Sequence, residues 1–541
     1  LLLLNKMKTI IPLKSATDAR EYRYITLENG LRVTLVSDPH TVAAAAGVSV
    51  NVGSVHNPKE LLGLAHFLEH MLFLGTEKFP DENSYNKYLA EHGGHSNAYT
   101  ASEETVYYFD VHPDHLHHML DIFSQFFIAP LFTASATERE LNAVQNEHSK
   151  NLQSDGWRFD LLRRSRYVEG HPESRFHTGD IKSLLESPKE KGIDLRKELI
   201  AFHHKYYAAR GMTACIVGKE SLDELEEWAT ELFSSVPDRE TPIPLHVTHP
   251  QGNVCPKNDL PVSDFRSPSH GYEPVGERVC AEPVKDVRFV EMRFVCPPIG
   301  ENYGASSLSY LANLIGHEGP GSILSVLKEK SWANELSAGT YKDAHGYSEF
   351  AITITLTEKG LVNVDDVIAL TFAYIRMLKQ DLPEFFFDEL RDINAMQFRF
   401  KGKEAPIKLV TRVCTQMQKF KANDVLIGPY RYDKFDRNDV ESILNRFTPK
   451  KAFVSIVARR NDDFYDQTEP IYGTKYRVEP HSESVLKLWE EYDAAKSLFL
   501  PKPNKFIATN FEIIPLLNWE IKRREKILKE QNKNNENNKT E

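Results

Sequence analysis

Gly63-Leu64-Ala65-His66-Phe67-Leu68-Glu69-His70-Met71-Leu72-Phe73-Leu74-Gly75 is apolar apart from His66, Glu69 and His70. No Gly or Pro falls between the two terminal glycines, so the stretch predicts one buried or half-buried helix. At about 100° per residue, Glu69 projects roughly 60° to one side of His66 and His70 roughly 40° to the other. The three polar side chains share a face, and the histidines lie one above the other at i, i+4. Two imidazoles so placed can each give a ring nitrogen to one zinc ion. A carboxylate between them can take a proton from a water that the metal activates. The competing reading is two core histidines with an ion-paired glutamate. Three polar groups on an apolar helix each need a partner, and one metal supplies it for the group.

A catalytic zinc usually takes three protein ligands, so a third must come from elsewhere in the chain. Ala136 to His148 predicts a strong helix, with Leu141, Val144 and His148 along one side. Its Glu140 and Glu147 stand two turns apart and share a face, where a glutamate is ordinarily a solvated surface group. The spacing alone leaves the third ligand open between them.

The order His66-x-x-Glu69-His70, followed by Glu147 with 76 residues between, resembles the signature of the pitrilysin-type (M16) zinc peptidases. The wider text is most similar to the insulysin branch. The segments that carry it include Ser96 to Thr100, Tyr107 to Val111, Ile315 to Ser322, Phe398 to Lys401 and Thr509 to Ile513. Similarity runs from about Tyr22 to about Leu516. It implies an α+β fold: two homologous α/β-roll domains, each a mainly antiparallel sheet covered by helices. It implies one Zn²⁺ per chain held by His66, His70 and Glu147, with Glu69 as general base. Glu140 matches an outer carboxylate that supports the ligands. Asn97 and Ala98 match a strand edge that pairs with substrate backbone. Leu336 to Gly346, which includes Gly339, resembles an exosite that holds a peptide N-terminus by strand addition. Gly179-Asp180 departs from the family's usual Gly-Asn.

With 541 residues the chain calls for two to four domains. We assign residues 20–236 to a catalytic domain, 237–285 to an irregular linker, 286–516 to a second, non-catalytic domain and 517–541 to a disordered polar tail. Strand, helix, helix, strand, helix runs from Ala43 to Phe127 and again from Val287 to Leu378, which suggests a duplicated unit. His317-Glu318 stands among glycines and a proline, so it reads as a turn, with Ser322 free to cap the next helix. His115, His117 and His118 lie largely on the polar side of a predicted helix and lack a matching carboxylate spacing.

The net charge of −11 carries no basic stripe, which argues against nucleic acid as a partner. No apolar run reaches membrane-spanning length. Five scattered cysteines without C-x-x-C spacing point to reduced thiols. A cytoplasmic location is expected, with mitochondria and peroxisomes open. The opening Leu1 to Leu4 is too short for a signal-peptide core. After Leu516 the text turns polar and low in complexity, where insulysins continue into a second half. We therefore read the chain as the metal-bearing N-terminal half of such a peptidase, cutting short or unfolded peptides. The alternative is a zinc- and peptide-binding half-chain, inactive until a second M16 half or another copy joins it.

Overall fold

The computed structural model describes residues 9–167, 171–239, 277–494, 496–511 and 518–537. Described residues up to Lys502 form one compact unit, and those from Pro503 form a second, small one. The larger unit is built on two sheets. The first contains β1 (Glu21–Thr26), β2 (Arg32–Ser37), β3 (Ala44–Val50), β4 (His95–Thr100), β5 (Thr105–Val111) and β6 (Met212–Gly218), in the order β1-β2-β6-β3-β5-β4. The second contains β7 (Glu277–Ala281), β8 (Phe289–Cys296), β9 (Ala333–Asp343), β10 (Ser348–Leu356), β11 (Phe453–Val457), β12 (Gln467–Thr468) and β13 (Lys475–Pro480), in the order β12-β13-β7-β11-β8-β10-β9.

The duplication is visible in the ladders. From β1 to β4 the neighbours pair antiparallel, parallel, and then antiparallel three times. From β13 to β9 the same succession recurs. One strand differs in origin: β1 enters from the start of its module, whereas its counterpart β13 returns from the end. The α+β class of two mainly antiparallel sheets covered by helices is as the sequence predicts.

The Asn29-Gly30 turn joins β1 and β2, with Gly30 at φ 87°. Strands β2, β3 and β6 are buried at every position, because both faces of the first sheet are covered. Helices α1 (Leu64–Met71), α2 (Ser84–Glu91) and α3 (Leu116–Ile128) contribute to the core on one face. The other face is covered by the helix Pro406–Lys419, through Leu409, Val410, Val413, Cys414 and Met417. A Cβ on Gly47 of β3 would stand 3.3 Å from the Val410 backbone, so glycine there lets the helix approach the sheet. A helix from the segment between β10 and β11 of the second sheet thus completes the first module, which a division by chain position alone does not anticipate.

Most of the stretch read as a linker, residues 240–276, lies outside the described residues, but its last part forms β7 in the middle of the second sheet. Asn518–Asn537 is helical where composition reads as disordered. Strong helix formers such as Glu, Lys, Arg and Leu outweigh the polar asparagines in its first turns.

A candidate metal centre at the edge of the first sheet

Helix α1 starts where Gly63 takes φ 93°, and Asn57 Oδ1 accepts a bond from Ala65 N at 2.8 Å. Leu64, Ala65, Phe67, Leu68 and Met71 anchor one side in the core, which turns His66, Glu69 and His70 toward a cleft. The 18-residue helix α4 (Ala134–Asn151), capped by Thr133, runs beside it with Leu141 and Val144 buried. That fixes the Glu140 and Glu147 face against the histidines.

The Nε2 atoms of His66 and His70 stand 3.3 Å apart, and Glu147 Oε2 lies 3.5 Å from each. The other nitrogen of each ring is already committed. His66 Nδ1 donates to the Thr178 carbonyl at 2.7 Å, and His70 Nδ1 donates to Glu140 Oε1 at 2.7 Å. Both Nε2 atoms therefore face one point together with a carboxylate oxygen, an arrangement suited to a shared cation. Zinc bonds to imidazole of about 2.05 Å at tetrahedral angles place two nitrogens roughly 3.3 Å apart, so the donor set fits the ion. Among the described residues this is the only group of three or more His, Cys, Asp or Glu that can hold a metal.

The electrostatics of the side chains agree. Burial opposes charge on His70, but Glu140 and Glu147 outweigh it and raise its pKa to about 10. Hydrogen bonds from His66 and His70 keep the Glu147 carboxyl well below its usual range. Glu69, only 7% exposed, is pushed up by burial, partly offset by His66 and by Thr100. Thr100 Oγ1 donates to Glu69 Oε2 at 2.6 Å.

Strand β4 is the outer strand of its sheet, so one edge of its backbone pairs with no other strand among the described residues. Its exposure alternates, with Ser96, Ala98 and Thr100 on the less exposed side. Asn97 and Ala98 line the cleft, whose volume is about 550 Å³, beside His66, Glu69, His70 and Glu147. Gly339 sits on β9, the outer strand of the other sheet, paired with Ala351, and is not among the cleft-lining residues. His115 instead bonds Tyr88 and stacks on His92, and Tyr88 also packs on His118. His317 accepts from Gly319 N, and Ser322 caps the helix Ile323–Glu329. Asp180 accepts from Ser183 N at 2.7 Å and so opens the helical segment that follows.

The sequence reading missed Thr100 and Thr178. Thr178 had one signal, the Gly179 that follows it. Gly179 takes φ 81° and approaches Gly63 so closely that a Cβ on Gly63 would stand 2.3 Å from the Gly179 Cα. Two glycines in contact bring the Thr178 carbonyl to His66.

Two matched modules with an inverted His-x-x-Glu-His centre on the first define a class, and the comparisons agree: the chain belongs to the M16 peptidase family. Residues 32–169 match "Insulinase (Peptidase family M16)", residues 194–394 the "Peptidase M16 inactive domain" and residues 398–536 the "Middle or third domain of peptidase_M16". Insulin-degrading enzyme of Drosophila melanogaster is 43% identical over 501 residues, 92% of this chain and 49% of the relative. The Homo sapiens protein of that name is 41% identical over 504 residues, 93% and 48% of the two chains. The crystal structure of pitrilysin superposes with a TM-score of 0.85 at 28% identity, over 94% of this chain and 52% of that one. The chain spans about half the length of the curated relatives it matches.

Proposed function

We propose that the chain is a zinc-dependent endopeptidase of the insulysin type, acting on short or unfolded peptides. The observation that carries this reading is the convergence of His66, His70 and Glu147 beside the outer edge of β4, with Glu69 between them. One zinc ion per chain would be held by His66, His70 and Glu147, and when bound it supplies Lewis acidity that polarises a carbonyl and acidifies water. A peptide adds to the edge at Asn97 and Ala98 as a further strand. Glu69 acts as general base: Thr100 occupies Oε2, which leaves Oε1 to take the proton of the attacking water and pass it to the leaving amine. Glu140 holds His70 in the tautomer whose Nε2 is free to ligate. Gly339 and its neighbours on the outer strand β9 offer a second edge for the peptide N-terminus.

A second reading follows from length. The chain corresponds to about half of its relatives, so it can be a zinc- and peptide-binding half that is completed by another M16 half or a second copy. No helix among the described residues is long and apolar enough to cross a membrane. We place the chain in the cytoplasm, a reading supported by the four cysteines among the described residues, all of them buried free thiols.

The test is hydrolysis of a quenched fluorescent peptide by the purified chain, with Glu69→Gln as the blank and zinc content measured on both. Cleavage by the first alone supports the endopeptidase. Zinc-loaded protein that cleaves nothing rejects independent activity and favours the half-chain.

A further inference from the structure

A segment of the second module reaches residues that lie behind the candidate metal centre of the first. The turn between β12 and β13 is built around Glu469, whose carboxylate accepts from Ile471 N at 2.9 Å and from Tyr472 N at 2.7 Å. Gly473, at φ 67°, closes the turn with a bond to the Glu469 carbonyl. From the other module, Arg158 on α5 (Asp155–Arg164) donates Nη1 to the Tyr472 carbonyl at 2.8 Å. The turn is therefore pinned on both sides, and Tyr472 projects from it with 2% exposure into a pocket with Phe176 and Leu161.

Two contacts of that side chain bear on the metal centre. The Tyr472 hydroxyl lies 3.2 Å from Thr178 Oγ1, and Thr178 is the residue whose carbonyl holds His66 Nδ1. The Tyr472 ring stacks on His148, with centroids 5.3 Å apart and planes 22° apart, and His148 follows Glu147 on α4. One side chain thus touches the group behind one ligand and the neighbour of another. Outer groups of this kind fix ring orientation and are commonly worth about 10–100-fold in metal affinity.

We propose that Tyr472 is a positioning residue for the metal centre, through which the second module sets the affinity of the first for its ion. The proposal rests on the zinc reading given above. The turn carrying Tyr472 joins β12 and β13, strands of the second sheet.

The measurement is zinc affinity of the full chain by competition with a chromogenic chelator, together with the visible spectrum of the Co²⁺-loaded protein, so that turnover is not needed. Tyr472→Phe keeps the stack and loses the hydroxyl; Thr178→Val loses the same bond from the other side and keeps the carbonyl. Each is expected to weaken zinc binding by about 3–10-fold, below the range for a direct outer partner. The double variant should be no weaker than either single one, because both remove one interaction. Tyr472→Ala should lose more and alter the Co²⁺ bands. Should Tyr472→Ala fail to fold, Tyr472→Phe and Thr178→Val decide. Wild-type zinc affinity and an unchanged Co²⁺ spectrum in Tyr472→Phe and Thr178→Val would overturn the proposal while leaving the metal reading intact. A wild-type chain that binds no zinc would overturn both.

Discussion

Thr100 and Glu69 are joined by a 2.6 Å hydrogen bond that ties the last residue of an edge strand to the middle of a helix. The bond gives Glu69 one fixed oxygen and one free. It also makes the strand edge and the carboxylate one mechanical unit.

Removing the Thr100 hydroxyl without changing side-chain shape should therefore affect turnover more than binding. In the peptidase assay Thr100→Val is expected to lower kcat by about tenfold with KM nearly unchanged, as for loss of a group that orients a reacting one. Thr100→Ser should restore most of it. A Thr100→Val protein with wild-type kcat would sink the assigned role.

Glu140 touches His70 and not the shared point of the three ligand atoms, so its removal should weaken the metal rather than abolish it. Glu140→Gln is expected to raise the zinc dissociation constant by about 10–100-fold. His70→Ala removes a ligand and should leave no stoichiometric zinc after dialysis. Equal zinc retention by the Glu140→Gln and wild-type chains would contradict the Nδ1 bond as a support of the centre.

Gly63 combines φ 93° with a Cβ position 2.3 Å from the Gly179 Cα. A methyl group there meets backbone, which cannot rotate away. Gly63→Ala should destabilise the fold by about 1–3 kcal/mol through strain at left-handed φ alone, and by more from the clash. Denaturant midpoints of the two metal-free proteins measure it, and unchanged stability would refute the contact.

A buried ionic cluster makes stability sensitive to acid. Glu173 is 3% exposed and pairs with Arg164 at 2.5 Å and with Lys342 of β9. Burial raises its pKa, but Lys342 and Arg164 outweigh that and lower it to about 2. The folded pKa is depressed, so the contribution is present above about pH 4.5 and is lost as pH falls toward 2. For a shift of this size it is on the order of 3 kcal/mol. Unfolding free energy should decline across that window, with a shallower slope in Glu173→Gln. Identical slopes would show that the cluster titrates elsewhere.

What the sequence determined by itself was local and periodic. Residues spaced three and four apart on one helix must share a face, so His66, Glu69 and His70 were legible at once. Glu140 and Glu147 could be put on one face of one helix. Which of them meets the shared nitrogens depends on how α4 lies against α1, and periodicity holds no information about that. Assigning Glu147 there took a resemblance, and the packing of two helices brings its Oε2 within 3.5 Å of both Nε2 atoms.

The tertiary structure alone decided the contacts made across long stretches of chain. Thr178 reaches His66 across 112 positions, and Tyr472 reaches Thr178 across 294. A carbonyl is present at every residue and a hydroxyl is common, so neither marks its partner in the text. The same holds for the helix Pro406–Lys419, whose apolar face shows that it is buried but not that it covers the first sheet. Spacing fixes a direction only within one regular element, and across elements the partner is chosen by packing.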